Sequence, residues 1–512
     1  MKRRTRIGLK VMVVLVSVVV LAVGGFALYG QILLDRVHRV VIKSEAPQQS
    51  GQPINVLLIG NNTRTGLSPS EAKAFGTASQ VGGGRADVAM IAHFNPKTKQ
   101  VTLLSIPRDL FMPIPGTTRL QRVDAALNPT AKTGGKENPN QLVRTIEDDL
   151  GIPIQHYVEL NFDTFQGVVN ALGGIRLYFP MPVRDRESGL NVTTTGCRTL
   201  NGYQALQVVR ARHLDYQTPQ GVWVRDPLGD LSRTRRDHIF LKVLAQQVKS
   251  RGLSNPVQDL KLLQNVYPYL TLDSAFSESE LLSLVLTYRH ANIATAPTGT
   301  LPVAFEGGNT GYIYNGANFG SIVFPQEPAD TQMVTQLSGT TTPSIAPSKI
   351  KIAVVNGSHS PSLAGQTTKG LVALGYRATL AGNVTPTGNP AESVIFYTPG
   401  NIAKAEALKA SLGGAVIMGE IPSTGYGTPI ELLVGDQLAT AIKVQSASSS
   451  GQTSPATAAG SYTASSPSTT STTTAGTKTQ ASTPTTIPNI TAGTQVNTRQ
   501  SPEPWDPRAC PA

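Results

Sequence analysis

The first long apolar stretch of the chain is VMVVLVSVVVLAVGGFALY at 11–29, nineteen residues with no charge and one serine. At about 1.5 Å per helical residue, such a run roughly spans the ~30 Å hydrocarbon core of a bilayer. It predicts a transmembrane helix over 11–30. KRRTR at 2–6 predicts a cytoplasmic amino terminus, with everything after Tyr29 on the outer side. The run exceeds the roughly 7–15 apolar residues of a cleaved signal peptide, so it reads as a retained single-pass anchor. Residues 31–52 read as a juxtamembrane stalk.

Beyond the stalk the pattern changes to short apolar runs alternating with amphipathic ones. INVLLIG (54–60) reads as a buried strand stopped by glycine. DVAMIAHF (87–94) and QVTLLSIP (100–107) read as a hairpin around NPKTK. HYVELNF (156–162) and IRLYF (175–179) flank FDTFQGVVNALGG, an amphipathic helix ended by glycines. Helices are predicted at 137–150, 201–213, 231–250, 256–270 and 278–291. This alternation predicts a three-layer α/β body over 53–337. A linker follows at 338–348, then a small α+β unit at 349–436. From 445 to 512 the chain is rich in Ser, Thr and Pro. Such a composition buries too little apolar surface to offset its ordering entropy and predicts a disordered tail.

The chain has 512 residues, a net charge of +12 and only 15% charged residues. A basic balance suits nucleic acid, an anionic membrane or a phosphorylated substrate. The outward-facing body argues against nucleic acid. The two cysteines are Cys197 and Cys510; because Cys510 falls in the tail, Cys197 is expected to be unpaired.

The charge is unevenly spread. Arg210, Arg212, Arg225, Arg233, Arg235 and Arg236 fall within 27 residues, with no lysine among them. A guanidinium grips two oxygens of one phosphate and keeps its charge, so an arginine-only cluster points to a polyoxyanion. Asp230 is the expected cap of the following helix, which places Arg233 in its first turn, where backbone N–H groups also favour an anion. The plainer reading is a set of helix-end arginines paired with Asp215, Asp226 and Asp230. Two further stretches carry matching chemistry: GGGRADV, with Arg85 and Asp87 at the start of a strand, and SIPRDLF, with Arg108 and Asp109 just past a strand end. Arginines hold phosphoryl oxygens and an isolated carboxylate holds Mg²⁺ across a pyrophosphate. The sequence has no zinc signature, Gly-x-Ser-x-Gly elbow or Walker loop, and His213 and His238 read as packing or surface residues.

Together LLIGNNTR (57–64), GRADVAMIAHFNPKT (84–98), SIPRDLFMPIPG (105–116), DAALN (124–128), ALGGIRLYF (171–179), LNGYQALQVVRARH (200–213) and GDLSRTRRD (229–237) resemble the LytR-CpsA-Psr family. Residues 349–436 resemble its LytR C-terminal-type domain. The resemblance implies a phosphotransferase with an apolar lipid tunnel. It would move a glycopolymer from a polyprenyl-pyrophosphate carrier to peptidoglycan at the outer face of the membrane, with Mg²⁺ or Mn²⁺. By motif, Arg85, Arg108, Arg210, Arg212 and Arg233 would clamp the pyrophosphate, and Asp87 and Asn62 would face the metal. Arg64, Asp109, Arg236, Asp237 and Trp223 would be further substrate contacts, Trp223 by stacking on a sugar. Three positions depart from the pattern. Asn62 replaces a metal carboxylate, Val88 replaces a hydroxyl, and Asp237 replaces a glutamine and is expected to restore the missing charge. These departures keep two other readings open: a binder of lipid-linked intermediates, and a hydrolase of the lipid pyrophosphate.

Overall fold

The structure, a computed structural model, describes residues 38–438 and 502–511, apart from 44–45, 49–50, 65, 75–83, 129–135, 253–265, 267–268, 289–290, 292–294, 309, 339–343 and 386–389. The expected membrane helix, most of the helix at 256–270 and the tail from 445 to 501 lie outside the described residues. Among those described, no helix is long and apolar enough to cross a membrane.

The apolar runs build a seven-stranded mixed sheet. In chain order its strands are β1 (His38–Val40), β2 (Ile54–Asn61), β3 (Ala86–Phe94), β4 (Val101–Ile106), β5 (His156–Leu160), β6 (Thr271–Asp273) and β7 (Thr298–Thr300). In space they run β1-β6-β5-β2-β3-β4-β7. β2 is central, antiparallel to β3 and parallel to β5. Alternate residues serve opposite faces, as the pleat requires. Leu57 and Ile59 pack with Leu142 and Ile146 of α1 (Pro139–Leu150). Val56 and Leu58 pack on the other side with Leu272, Phe276 and Leu284. The predicted hairpin closes where the Lys99 amide donates to the Asn95 carbonyl at 2.9 Å.

Two capped helices fix the lower edge of the site. At α2 (Phe162–Ala171), the Asn161 side chain accepts from the Thr164 amide and the Thr164 hydroxyl accepts from the Asn161 amide. At α3 (Gly202–Arg210), Asn201 and Gln204 exchange the same pair of bonds. These boxes satisfy orphan amides and set where each helix begins. The long helix α4 (Asp230–Gly252) follows, and α5 (Glu278–Tyr288) covers the β6 side.

The second unit holds a five-stranded sheet ordered Arg377–Asn383, Lys351–Asn356, Ile430–Val434, Ser393–Tyr397, Val416–Glu420. It is packed against the first. Phe111, Tyr312 and Phe324 share one core with Val394, Phe396 and Ile417. The buried Lys409 ammonium lies 3.1 Å from Asp330 and 3.2 Å from Glu327.

Three expectations are corrected: the stalk, the disordered chain end and the unpaired Cys197. Part of the stalk belongs to the body: β1 runs parallel to β6, and Ile42 is in the core. The chain end is also docked. Arg508–Ala509 pairs with the strand Ile175–Phe179, Trp505 stacks on Tyr216 at 4.1 Å, and the buried Asp506 accepts from Arg235 Nε at 2.6 Å. These contacts bring Cys510 to Cys197, with Cα atoms 5.7 Å apart, and the two form a disulfide. The composition of the whole tail masked a terminal decapeptide with its own aromatic, acidic and basic anchors.

Candidate active site

Two adjoining cavities open beside the carboxyl ends of β2 and β5. One is apolar, about 280 Å³, walled by Leu58, Val158, Phe165, Leu206, Phe240 and Leu244 among others. The other is polar, about 460 Å³, and is lined by Arg64, Arg85, Arg108, Arg122, Arg210 and Arg212. Asp87, Phe162 and Arg210 line both.

The chain brings these arginines together from five places. Arg64 follows β2, Arg85 precedes β3, and Arg108 sits two residues past β4. Arg210 ends α3, and Arg212 lies just beyond it. Arg64 and Arg210 both lie over the Phe162 ring, at 5.8 and 4.8 Å. The ring thus presents its face to two cations at the border of the cavities. Arg233 lines the apolar cavity; its Nη2 donates to Asp230 Oδ2 at 3.1 Å and to the Asp87 carbonyl.

Asp87 is the electrostatic centre. Its Oδ1 lies 3.0 Å from Arg108 Nη1 and 3.0 Å from Arg212 Nη2. Burial alone would raise this carboxyl, but Arg212, Arg108 and Arg233 outweigh it and hold it at about 2. Asp230, in the first turn of α4, behaves alike: burial is outweighed by Arg233, Arg108 and Arg212, and its pKa is lowered. Asp109, 3.5 Å from both Arg108 and Arg122, is pushed up by burial. Burial also pushes Asp237 up, to about 7, against the pull of Arg233 3.8 Å away. Arg210 is drawn down to about 10 by burial and by Arg64, and stays charged at neutral pH.

Asn62 is buried, and its Oδ1 accepts from the Arg85 amide at 3.0 Å. Among the described residues no three of His, Cys, Asp and Glu are grouped to hold a metal. The donor set fits a cation shared with a bound pyrophosphate better than a preformed cage. Asp87 offers Oδ2, outside both arginine pairs, and Asn62 keeps one lone pair.

Other members of the arginine run have structural partners. Arg236 is 1% exposed and donates to Asp226 and the Ala211 carbonyl. Arg225 pairs with Asp215 at 2.5 Å. Trp223 lines neither cavity and lies under Arg184 at 4.1 Å. Five of the six arginines of the run thus lie within ion-pair distance of Asp215, Asp226 or Asp230, as the plainer reading expects, and Arg212 does so while also lining the polar cavity. Sequence reasoning missed Arg122, Phe162, Glu187 and Ser188 as lining residues. It also missed the 0%-exposed Asp124, which Arg85 and Arg122 approach at 3.4 and 3.7 Å. A signal was available for the last: Arg122 stands two residues before Asp124 at the head of DAALN.

A model of the LytR_cpsA_psr family matches residues 34–340, well over half of the chain. A second, described as LytR cell envelope-related transcriptional attenuator, matches 349–437. The probable cell wall biosynthesis protein LcpB of Corynebacterium glutamicum is 32% identical over 251 residues, 49% of this chain and 54% of that protein. The chain thus spans about half the length of that relative. The cell wall biosynthesis protein LcpA of the same organism is 26% identical over 417 residues, covering 75% of this chain and 76% of LcpA. TagU of Enterococcus faecalis, a polyisoprenyl-teichoic acid–peptidoglycan teichoic acid transferase, is 29% identical over 261 residues, 50% and 74% of the two chains. Among solved structures, the LytR-Csp2A-Psr enzyme from Actinomyces oris is 26% identical, covers 59% of this chain and 96% of its own, and superposes with a TM-score of 0.45. With seven arginines and one central carboxylate gathered from the matched segment, the chain belongs to the LytR_cpsA_psr family.

Proposed function

We propose that this protein transfers a glycopolymer from a polyprenyl-pyrophosphate carrier to peptidoglycan, forming a phosphodiester and releasing polyprenyl monophosphate. The observation that carries this is the junction of an apolar cavity with an arginine-lined one through Asp87, Phe162 and Arg210. A lipid pyrophosphate has the same two-part chemistry: hydrocarbon for the first cavity and a multiply charged head for the second. The apolar cavity is then the lipid tunnel of a three-layer α/β domain. The segment at 11–30 anchors the protein with its body outside the cell, keeping the tunnel at the outer leaflet.

In this reading Arg85, Arg108, Arg210 and Arg212 hold the pyrophosphate oxygens, joined by Arg64 and Arg122. Arg233 holds the Asp87 backbone and so keeps that carboxylate in place. Charge that develops on the bridging oxygen as it leaves is met by guanidinium groups already fixed by Asp87, Asp109 and Asp230, so little reorganisation is needed. Phe162 gives the boundary a face that tolerates both hydrocarbon and cation. Asp87 and the Asn62 oxygen would hold Mg²⁺ or Mn²⁺, which would neutralise phosphate charge there.

One observation favours a second reading, a binder of lipid-linked intermediates. The Asn62 oxygen already serves the Arg85 amide, which leaves Asp87 as the lone anionic ligand among those two. The test is turnover by residues 38–512 on a lipid-pyrophosphate glycan with a peptidoglycan oligomer, lipid monophosphate being followed by mass spectrometry with Mg²⁺ or EDTA. Turnover with Mg²⁺, lost in EDTA and reduced about 10²–10³-fold by Arg108→Ala, supports transfer. Retention of the lipid without product in the wild type, with turnover in Asn62→Asp, makes the protein a binder. Lipid monophosphate without glycan-linked acceptor makes it a hydrolase.

A further inference from the structure

Phosphoryl transfer needs an attacking oxygen opposite the leaving one. If the lipid phosphate departs toward the apolar cavity, the acceptor hydroxyl arrives from the wall that this cavity does not share. Glu187 and Ser188 form part of that wall: they line the polar cavity and not the apolar one. They lie in the turn between the strands Val183–Asp185 and Leu190–Val192.

The carboxylates lining the polar cavity are Asp87 and Glu187. They differ in their partners. Asp87 is gripped by Arg108 and Arg212, which removes its basicity. Glu187 has no arginine within ion-pair distance among the described residues; its Oε2 faces His213 Nδ1 at 3.0 Å. Both side chains are open to solvent, at 70% for Glu187 and 48% for His213, so an incoming polymer can reach them.

The two residues are far apart in sequence, yet one buried group fixes both backbones. Asp185 is 1% exposed. Its Oδ1 accepts from the amides of Glu187 at 2.8 Å and Ser188 at 3.1 Å, and its Oδ2 accepts from the amide of His213 at 2.8 Å. A carboxylate that binds three amides from two segments holds those segments in register. The same tie keeps Glu187 beside Arg212, the residue before His213.

We propose that Glu187 is the general base for the acceptor hydroxyl, with His213 Nδ1, 3.0 Å from its Oε2, holding the carboxylate in place. The assignment rests on the transfer reading above. In the step, the acceptor O–H bond breaks and its oxygen bonds to the glycan-side phosphorus. The bond from that phosphorus to the bridging oxygen breaks, and the bridging oxygen keeps the electron pair and leaves as lipid monophosphate. The proton passes to a Glu187 oxygen and from there to solvent, to which that side chain is open. Asp185 is a positioning residue.

The test uses the full-length chain in detergent with the same donor and peptidoglycan oligomer, and calorimetric binding of inorganic pyrophosphate as a separate reading. Glu187→Gln is expected to lower kcat by about 10²-fold or more, the usual weight of a general base, with acceptor KM and pyrophosphate affinity within about threefold of wild type. Glu187→Asp should recover part of the loss, and His213→Gln should lose less than Glu187→Gln. A Glu187→Gln enzyme with kcat within about threefold of wild type overturns the assignment, as does a loss confined to acceptor KM, which would make Glu187 a binding residue. Wild type that binds pyrophosphate but releases no lipid monophosphate overturns the transfer reading itself, and this assignment with it.

Discussion

Asp237 shows how one side chain can matter differently in site and fold. It lines the apolar cavity beside Arg233 and is held at about 7 by burial. In the unfolded chain the same carboxyl titrates near 3.8. A group raised on folding stabilises when protonated, so its contribution is fully present below about 4 and is lost as pH climbs through about 7. Asp237→Asn should therefore flatten that decline, adding about 1–3 kcal/mol at pH 8 and little at pH 4, as read by denaturant unfolding at the two pH values. The expectation that Asp237 restores a metal charge has a direct check: Asp237→Asn with unchanged Mg²⁺ dependence of turnover removes it. Asp87 has the opposite sign. Its carboxylate contributes stability above about 4 that is lost only as pH falls through about 2.

At the level of elements, the parts legible in the sequence were those whose pattern is local. β2, β3, β4 and the helices at α1 to α4 follow from apolar period and capping residues, and fall within a few residues of their expected bounds. The strand Val416–Glu420 was not legible, because VIMGE is too short an apolar run to separate from the helix before it. The hairpin carrying Glu187 was not legible either; its strands are three residues each and depend on Asp185 for their turn. Motif positions identified five of the six arginines of the polar cavity, since each sits at an element boundary that the motif also marks. Arg122 also ends an element, the strand Leu120–Arg122, but it stands between the motif stretches 105–116 and 124–128.

The chain-end strand was the largest miss, and its energetics can be tested. Arg235 and Arg236 are 4% and 1% exposed, and share Asp226 and Asp506 as carboxylate partners. Asp506→Ala leaves two buried guanidinium groups with one carboxylate. Removing one partner of a buried pair costs about 3–5 kcal/mol, so a lower Tm and a reduced urea midpoint are expected, with the loss near the lower figure because Asp226 remains.

Across the whole molecule, the contact between the two units is rich in buried acids. Glu392 accepts from the Tyr312 hydroxyl and is raised by burial to about 7. Glu406, raised to about 7 by burial against the pull of Lys409, abuts Gly151, where any side chain would collide with its carboxylate. Within the first unit, Glu147 of α1, which accepts from the Ile154 amide, is likewise raised by burial, to about 8. Each is protonated in the folded chain at pH values where the unfolded chain is ionised. Stability should thus decline as pH rises from about 4.5 through 7 to 8, the reverse of a surface held by ion pairs. Thermal melts of Glu392→Gln should show a shallower decline than the wild type over that window.

The bond between Cys197 and Cys510, 313 residues apart, closes residues 197–510 into a covalent ring that contains the second unit. A protease that nicks the stretch at 439–501 therefore releases nothing. The two fragments stay joined and migrate as one species until a thiol is added, then separate into pieces of unequal length. Releasing the terminal decapeptide from its seat beside α4 after such a cut takes reduction as well as hydrolysis, and an enzyme supplying only one of them leaves it attached.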